Sequence, residues 1–197
     1  MEIETLVLGA FETNCYLLKK GNEALLIDAA GSWRRIAERI GGSELKGILL
    51  THGHFDHIGA ADRLVREFGC PLYMSRDDQV LLDDPEINSL AGYTAAVRTR
   101  PVFIEREELR VGSFDIRVLF TPGHTEGSLM FIIDDSLFSG DTLFWEGVGR
   151  TDLYSGSWAK LQQSLSVLTT LPHDMKVYPG HGPATTVGHE LTYNPYL

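Results

Sequence analysis

Gly47-Ile48-Leu49-Leu50-Thr51-His52-Gly53-His54-Phe55-Asp56-His57 runs an apolar stretch straight into four side chains of metal-ligating type. Residues 47–51 read as a buried strand, short and apolar. In the extended segment that follows, His52 and His54 stand two residues apart, so both point to one side and can chelate one ion. The chain then turns, which aims Asp56 and His57 at a second ion nearby. Imidazole and carboxylate suit zinc, iron or manganese, and the lack of cysteine ligands argues against a closed structural zinc site.

Upstream of this stretch, residues 2–7, 14–19 and 24–28 form short strand-like runs separated by Gly-containing turns, as in an antiparallel meander. Ser32 is placed to cap a helix running to about Arg39 and ended by Gly41-Gly42. Downstream, Ile58, Ala61, Leu64, Val65 and Phe68 recur at helical spacing, predicting one helix that Gly69 terminates. Residues 83–100 have weak periodicity and read as a long excursion. Phe114, Ile116, Val118 and Phe120 alternate with Asp115 and Arg117, the mark of a half-buried strand. Residues 128–133, 137–139 and 176–178 add further strands, and Trp158, Leu161, Leu165 and Leu168 line one face of a late helix. Strand-rich blocks interleaved with helices imply an α/β (α+β) chain with two sheets and helices outside them, in one domain over residues 1–197.

Three more strand ends carry ligand-type residues. Thr121-Pro122-Gly123-His124-Thr125-Glu126-Gly127-Ser128 displays His124 after a turn, Ser139-Gly140-Asp141-Thr142 displays Asp141, and Pro179-Gly180-His181-Gly182 displays His181. Each is weak alone; together they put five of the seven histidines at the ends of strands, whose loops share one edge of a rigid sheet. His173 and His189 fall outside these motifs and read as surface residues.

Composition narrows the partners. With 17 Lys+Arg against 27 Asp+Glu, the net charge of −10 opposes binding to a phosphate backbone and disfavours nucleic acid. No apolar run reaches the roughly 18 residues of a membrane span. The start, Met1-Glu2-Ile3-Glu4, has neither the basic nor the apolar stretch of a signal peptide, so a cytoplasmic location is expected. Cys15 and Cys70 are too few for a disulfide scaffold and read as small buried packing residues. No Gly-x-Ser-x-Gly elbow, phosphate-binding Gly-rich loop or dinucleotide fingerprint is present. A homo-oligomer is compatible with this composition.

The motif set resembles the metallo-β-lactamase superfamily, and within it glyoxalase II, the hydroxyacylglutathione hydrolases, in their short single-domain bacterial form. The likeness runs through residues 51–57, 121–128, 139–144, Gly149-Arg150-Thr151-Asp152, residues 179–182 and Glu190 before Asn194-Pro195. It implies a four-layer αββα sandwich with two divalent metal ions at one edge. By motif match, His52, His54 and His124 belong to the first ion, Asp56, His57 and His181 to the second, and Asp141 bridges them. Zinc is implied, with iron or manganese as alternatives. Asp56 and Asp141 carry the catalysis, with a metal-bridging hydroxide as nucleophile. Two such ions bring a charge of about +4, which the two carboxylates and a hydroxide reduce to about +1. Water ionised in this way attacks esters, thioesters, amides and lactones without a side-chain nucleophile.

The small-molecule substrate implied is an acyl thiol such as S-lactoylglutathione. The resemblance is to a form without the C-terminal helical domain that gives full-length glyoxalase II much of its grip on glutathione. Asp28 and Thr51 are expected to hold the far nitrogens of ligating imidazoles, the alternative for Asp28 being a turn carboxylate. Arg150 can clamp a substrate carboxylate, or instead pair internally with Asp152. The excursion brings Tyr93, Arg98 and Arg100, and Tyr93 is taken as a substrate contact. Two other activities share the resemblance: a glutathione persulfide dioxygenase with one iron on His52, His124 and Asp141, and a lactonase or β-lactam hydrolase on the same core. A non-catalytic scaffold would lack ligand positions, and none is missing.

Overall fold

The computed structural model describes residues 1–197. It opens with the expected meander, β1 (Glu2–Leu8), β2 (Thr13–Lys20) and β3 (Glu23–Ile27), paired antiparallel with Leu6 opposite Cys15 and Tyr16 opposite Ile27. Helix α1 (Trp33–Ile40) crosses to β4 (Glu44–Leu49), which lies parallel to β3. Helices α2 (Phe55–Ile58) and α3 (Ala61–Phe68) lead to β5 (Leu72–Met74), parallel to β4. After α4 (Gln79–Asp83) comes a small hairpin, β6 (Ser89–Leu90) with β7 (Tyr93–Thr94), and then β8 (Val102–Phe103), which completes a sheet ordered β1-β2-β3-β4-β5-β8.

The second sheet begins with β9 (Glu108–Val111), β10 (Phe114–Phe120), β11 (Leu129–Ile133) and β12 (Ser136–Gly140), all antiparallel. A hairpin of β13 (Leu143–Phe144) and β14 (Gly147–Val148) and helix α5 (Trp158–Leu165) precede β15 (Lys176–Pro179), which joins β12 in parallel. β16 (Thr185–Thr186) and helix α6 (Val187–Tyr193) follow, giving the order β16-β15-β12-β11-β10-β9.

Strand alternation creates three apolar layers. Tyr16, Leu18, Leu25, Ile27 and Leu49 of the first sheet face Phe114, Ile116, Val118, Phe131 and Phe138 of the second. Their strand neighbours Leu17, Leu26 and Ile48 point outward to Ile36, Ile40 and Leu64 on the helices. On the far side Met130, Leu137 and Val177 meet Leu161, Leu165 and Leu168. This is the αββα sandwich, and strands covered on both faces read as apolar runs because neither face meets water. Each fully buried Leu or Phe contributes about 1.5–3 kcal/mol.

Local departures from the sequence reading have identifiable causes. The single helix expected through Ile58 and Phe68 is broken, because Ala29 intrudes: its N–H donates to the His57 carbonyl at 2.7 Å and its carbonyl accepts from Ala60 N–H at 2.7 Å. Ser32 stands at the N-cap of α1, but its hydroxyl accepts nothing from the helix. Trp158 is 41% exposed and rests edge-on against Tyr196, while Leu161 and Leu165 carry the buried face and Leu168 sits in a 3-10 extension. The excursion at 83–100 holds the β6–β7 hairpin. Cys15 and Cys70 are both buried. No helix is long and apolar enough to cross a membrane.

Candidate metal centre

β3 and β4 run parallel, as do β12 and β15, so their C-terminal ends open on one edge of the sandwich. From those ends come Asp28, the turn with His52 and His54, Asp141 and His181, while β10 delivers His124. The structure brings all seven motif residues together. His52, His54 and His124 form one group with ligand atoms within 4.8 Å of one another; His52, His57 and Asp141 form a second, and Asp56, His57 and His181 a third.

The imidazoles are aimed by their far nitrogens. Thr51 N–H and hydroxyl both donate to Asp28, at 2.8 and 2.9 Å. With its hydrogen committed there, the Thr51 oxygen accepts from His52 Nδ1 at 3.0 Å. His57 Nδ1 donates to Asp28 Oδ2 at 2.8 Å, His124 Nδ1 to the Arg150 carbonyl at 2.7 Å, and His181 Nδ1 to the Phe11 carbonyl at 2.9 Å. Four rings therefore turn Nε2 inward, as metal-ligating histidines do. His54 instead presents Nδ1, 2.9 Å from His124 Nε2.

Inside the centre, His57 Nε2 lies 3.3 Å from Asp141 Oδ1 and 3.4 Å from His181 Nε2. His181 Nε2 lies 3.3 Å from Asp56 Oδ2, and His124 Nε2 3.6 Å from Asp141 Oδ2. Ligands about 2.0–2.1 Å from a tetrahedral ion stand about 3.3 Å apart, so the spacing fits. His52 Nε2 and Asp141 Oδ1 are buried without any hydrogen-bond partner. Such orphans cost about 1–3 kcal/mol each, and a cation relieves both. The donor set, five imidazoles and two carboxylates with no thiolate, fits divalent zinc, iron or manganese.

Charge follows the same geometry. Burial and the neighbouring His57 hold His52 well below the usual imidazole range, and burial with His124 lowers His54 to about 3. Burial also opposes a proton on His57 and on His181, but carboxylates outweigh it: Asp56, Asp141 and Asp28 push His57 well up, and Asp141 and Asp56 push His181 to about 10. Burial disfavours the Asp56 anion, yet His57, His181 and the Thr13 hydroxyl, which donates to Oδ2 at 2.9 Å, hold it at about 2. Asp141 is held well below the carboxylate range, with His57 and His181 outweighing its burial. Gly180 makes this crowding possible: a Cβ there would lie 2.0 Å from Asp141 Oδ1 and 2.9 Å from His57 Cε1.

Of the flanking residues anticipated from sequence, Asp28 and Thr51 lie against the imidazoles. Arg150 does not offer a free guanidinium: it is locked in a two-pronged pair with Asp152 at 2.6 and 2.7 Å, and its backbone is what reaches His124. Tyr93, 52% exposed, stands edge-on to Phe11, whose carbonyl holds His181. His189 is partly exposed, accepting from Trp145 Nε1 at 3.0 Å. Sequence reasoning missed Thr13, Asp78 and Asn88. None belongs to a spaced motif; a buried-polar signal emerges only once the turns are folded together.

A family model described as the metallo-beta-lactamase superfamily matches residues 8–181. The chain belongs to that superfamily. Superfamily relatives include the probable metallo-hydrolase YqgX of Bacillus subtilis, 36% identical over 100% of this chain and 98% of that protein. The hydroxyacylglutathione hydrolase GloC of Haemophilus influenzae is also 36% identical, again over 100% and 98%. Among solved superfamily structures, the B3 metallo-beta-lactamase BLEG-1 superimposes with a TM-score of 0.93 at 35% identity, covering 100% and 99% of the two chains. TTHA1623 in a di-iron-bound form gives 0.82 at 34%, covering 98% and 100%. ETHE1 from Myxococcus xanthus gives 0.78 at 30%, covering 99% and 84%.

Proposed function

We propose that this superfamily member is a binuclear metal-dependent hydrolase of acyl thioesters, acting on S-(2-hydroxyacyl)glutathione such as S-lactoylglutathione. The observation that carries the reading is the complete second set, Asp56, His57 and His181, standing beside His52, His54 and His124 with Asp141 between them. The likeness to GloC supports the substrate class, and the di-iron form of TTHA1623 keeps iron beside zinc as an occupant.

His52, His54 and His124 would hold one ion, Asp56, His57 and His181 the other, and Asp141 both. When bound, the ions supply a water ionised near neutral pH and polarise the thioester carbonyl. The chain's own groups fix the rest. Asp28 carries the far nitrogen of His57 directly and that of His52 through Thr51, so one carboxylate orients a ligand of each set. Asp56 and Asp141 stay ionised at neutral pH, which offsets cationic charge but makes them too acidic for general bases. No cysteine competes as nucleophile: burial pushes the Cys15 thiol up and that of Cys70 to about 11. The Phe11–Tyr93 pair beside His181 offers an apolar ledge for the acyl or thiol portion.

A persulfide dioxygenase would use His52, His124 and Asp141, and the 3.6 Å approach of His124 to Asp141 permits it. That reading leaves the second set without a task. BLEG-1 brings a β-lactam into the same test. Metal-replete protein, assayed with S-lactoylglutathione, glutathione persulfide under oxygen, a simple lactone and a β-lactam alongside elemental analysis, separates the readings. Two ions per chain with thioester cleavage is the expected result. One iron per chain with oxygen uptake, or no thioester cleavage, overturns it.

A further inference from the structure

The turn between His52 and His54 has no strand or helix ladder of its own. Gly53 N–H donates to Asp78 Oδ2 at 2.8 Å, and the Gly53 carbonyl accepts from Asn88 Nδ2 at 2.8 Å. Phe55 N–H donates to Asn88 Oδ1 at 2.9 Å, and Asn88 Nδ2 is itself steadied on the Leu81 carbonyl at 2.7 Å. Both side chains are only 1% exposed.

Asp78 also reaches the other turn. Thr125 hydroxyl donates to its Oδ2 at 2.7 Å and Gly127 N–H to its Oδ1 at 2.7 Å. A Cβ at Gly127 would lie 2.6 Å from Asp78 Cγ, so the turn is pressed onto the carboxylate. One buried carboxyl group, its pKa pushed up by burial and held down by hydrogen-bond donors from two separate loops, thus spans the stretch that carries His52 and His54 and the stretch that carries His124. Buried polar groups of this kind fix geometry strongly, because releasing any donor strands a carboxyl oxygen without a partner.

We propose that Asp78, with Asn88, is a positioning residue that sets the spacing of His52, His54 and His124, and so the affinity of that set for its divalent ion. This rests on the two-ion reading above. Asp78 itself accepts only from Gly53, Thr125 and Gly127, and from nothing in α2 or in the His181 turn; Asn88 does reach α2, through Phe55 N–H, so Asp78 is the residue that separates the two sets. Disturbing Asp78 therefore weakens one ion and spares the other.

Zinc titration against a chromophoric chelator tests this, with His54→Ala and His181→Ala marking which affinity belongs to which set. Asp78→Asn keeps the size but turns an amide toward one of the donors. It is expected to weaken the His54-dependent affinity by at least about tenfold and leave the His181-dependent one within about twofold. Thr125→Val, which removes a single donor, should shift the same affinity in the same direction by less, and it carries the test if Asp78→Asn does not fold. Equal weakening of both affinities together with a lower melting temperature would assign Asp78 a merely structural role and overturn the proposal. Unchanged affinities in folded variants would do the same. Failure of the two-ion reading looks different: the wild-type chain would itself take up no zinc.

Discussion

His52, His54 and His124 sit on turns whose backbone is gripped by side chains of a connecting segment, whereas Asp141 and His181 sit where β12 and β15 end and are tied by main chain, and His57 sits in α2 against Asp28. Gly180 N–H donates to the Gly140 carbonyl and Asn14 N–H to the Gly180 carbonyl, each at 2.8 Å, and Asn14 and the Tyr16 hydroxyl both cap the Pro179 carbonyl. The contrast shows two ways to build half a metal centre. One half comes with the sheets and needs little beyond pairing. The other depends on Asp78 and Asn88, which lie outside both sheets.

The most damaging change should strike where the halves meet. Asp141→Asn is expected to lower turnover by about 10³-fold or more, since several kcal/mol of charge stabilisation depend on the ions it faces. Circular dichroism should stay native, and wild-type-like activity would remove Asp141 from the centre. Asp28→Asn strikes both halves and should reduce metal affinity about 10–100-fold, because the far nitrogen of His57 loses its anionic acceptor and that of His52 loses the Thr51 hydroxyl's anchor. An effect confined to the His54-dependent affinity would break the comparison.

Proton competition sharpens it further. His181 is raised to about 10, so without metal it is protonated at neutral pH. That pairing stabilises the metal-free fold fully below the ordinary imidazole pKa of about 6.5, and the contribution fades as pH rises through about 10. Metal must displace this proton and the one held on His57, so affinity of the Asp56–His57–His181 set should climb by at least about tenfold per pH unit between pH 7 and 9. Competition titrations that are flat with pH would refute the assignment. The smallest effect belongs to Arg150→Ala: with its guanidinium already paired to Asp152 on the surface, KM for a carboxylate-bearing thioester should rise no more than about threefold. A large rise, absent for neutral thioesters, would restore the clamp.

The ligands themselves are legible: His52, Asp141 and His181 each follow an apolar run, and alternation over Phe114, Ile116 and Val118 marks the strand that leads to His124. The break at Gly59-Ala60 was invisible because its cause, Ala29, lies about 30 residues upstream and contributes only backbone groups. Asp78 and Asn88 escaped for a related reason: their bonds to Gly53, Thr125 and Gly127 span 25 to 49 positions and follow no period. Arg150 was read by its charge, whereas its carbonyl is what touches the site. Periodicity reports burial, and motifs report ligands, but neither reports which carbonyl or carboxylate steadies a turn.

The hydrogen atom that stands in for a side chain at position 180 has a consequence for how this protein can drift. Even an alanine methyl there would collide with the Asp141 carboxylate and the His57 ring at once. A library randomised at that codon and selected for hydrolysis should therefore return a single residue, while the exposed neighbour Pro183 tolerates many. Permissible variation would change abruptly within three positions of chain.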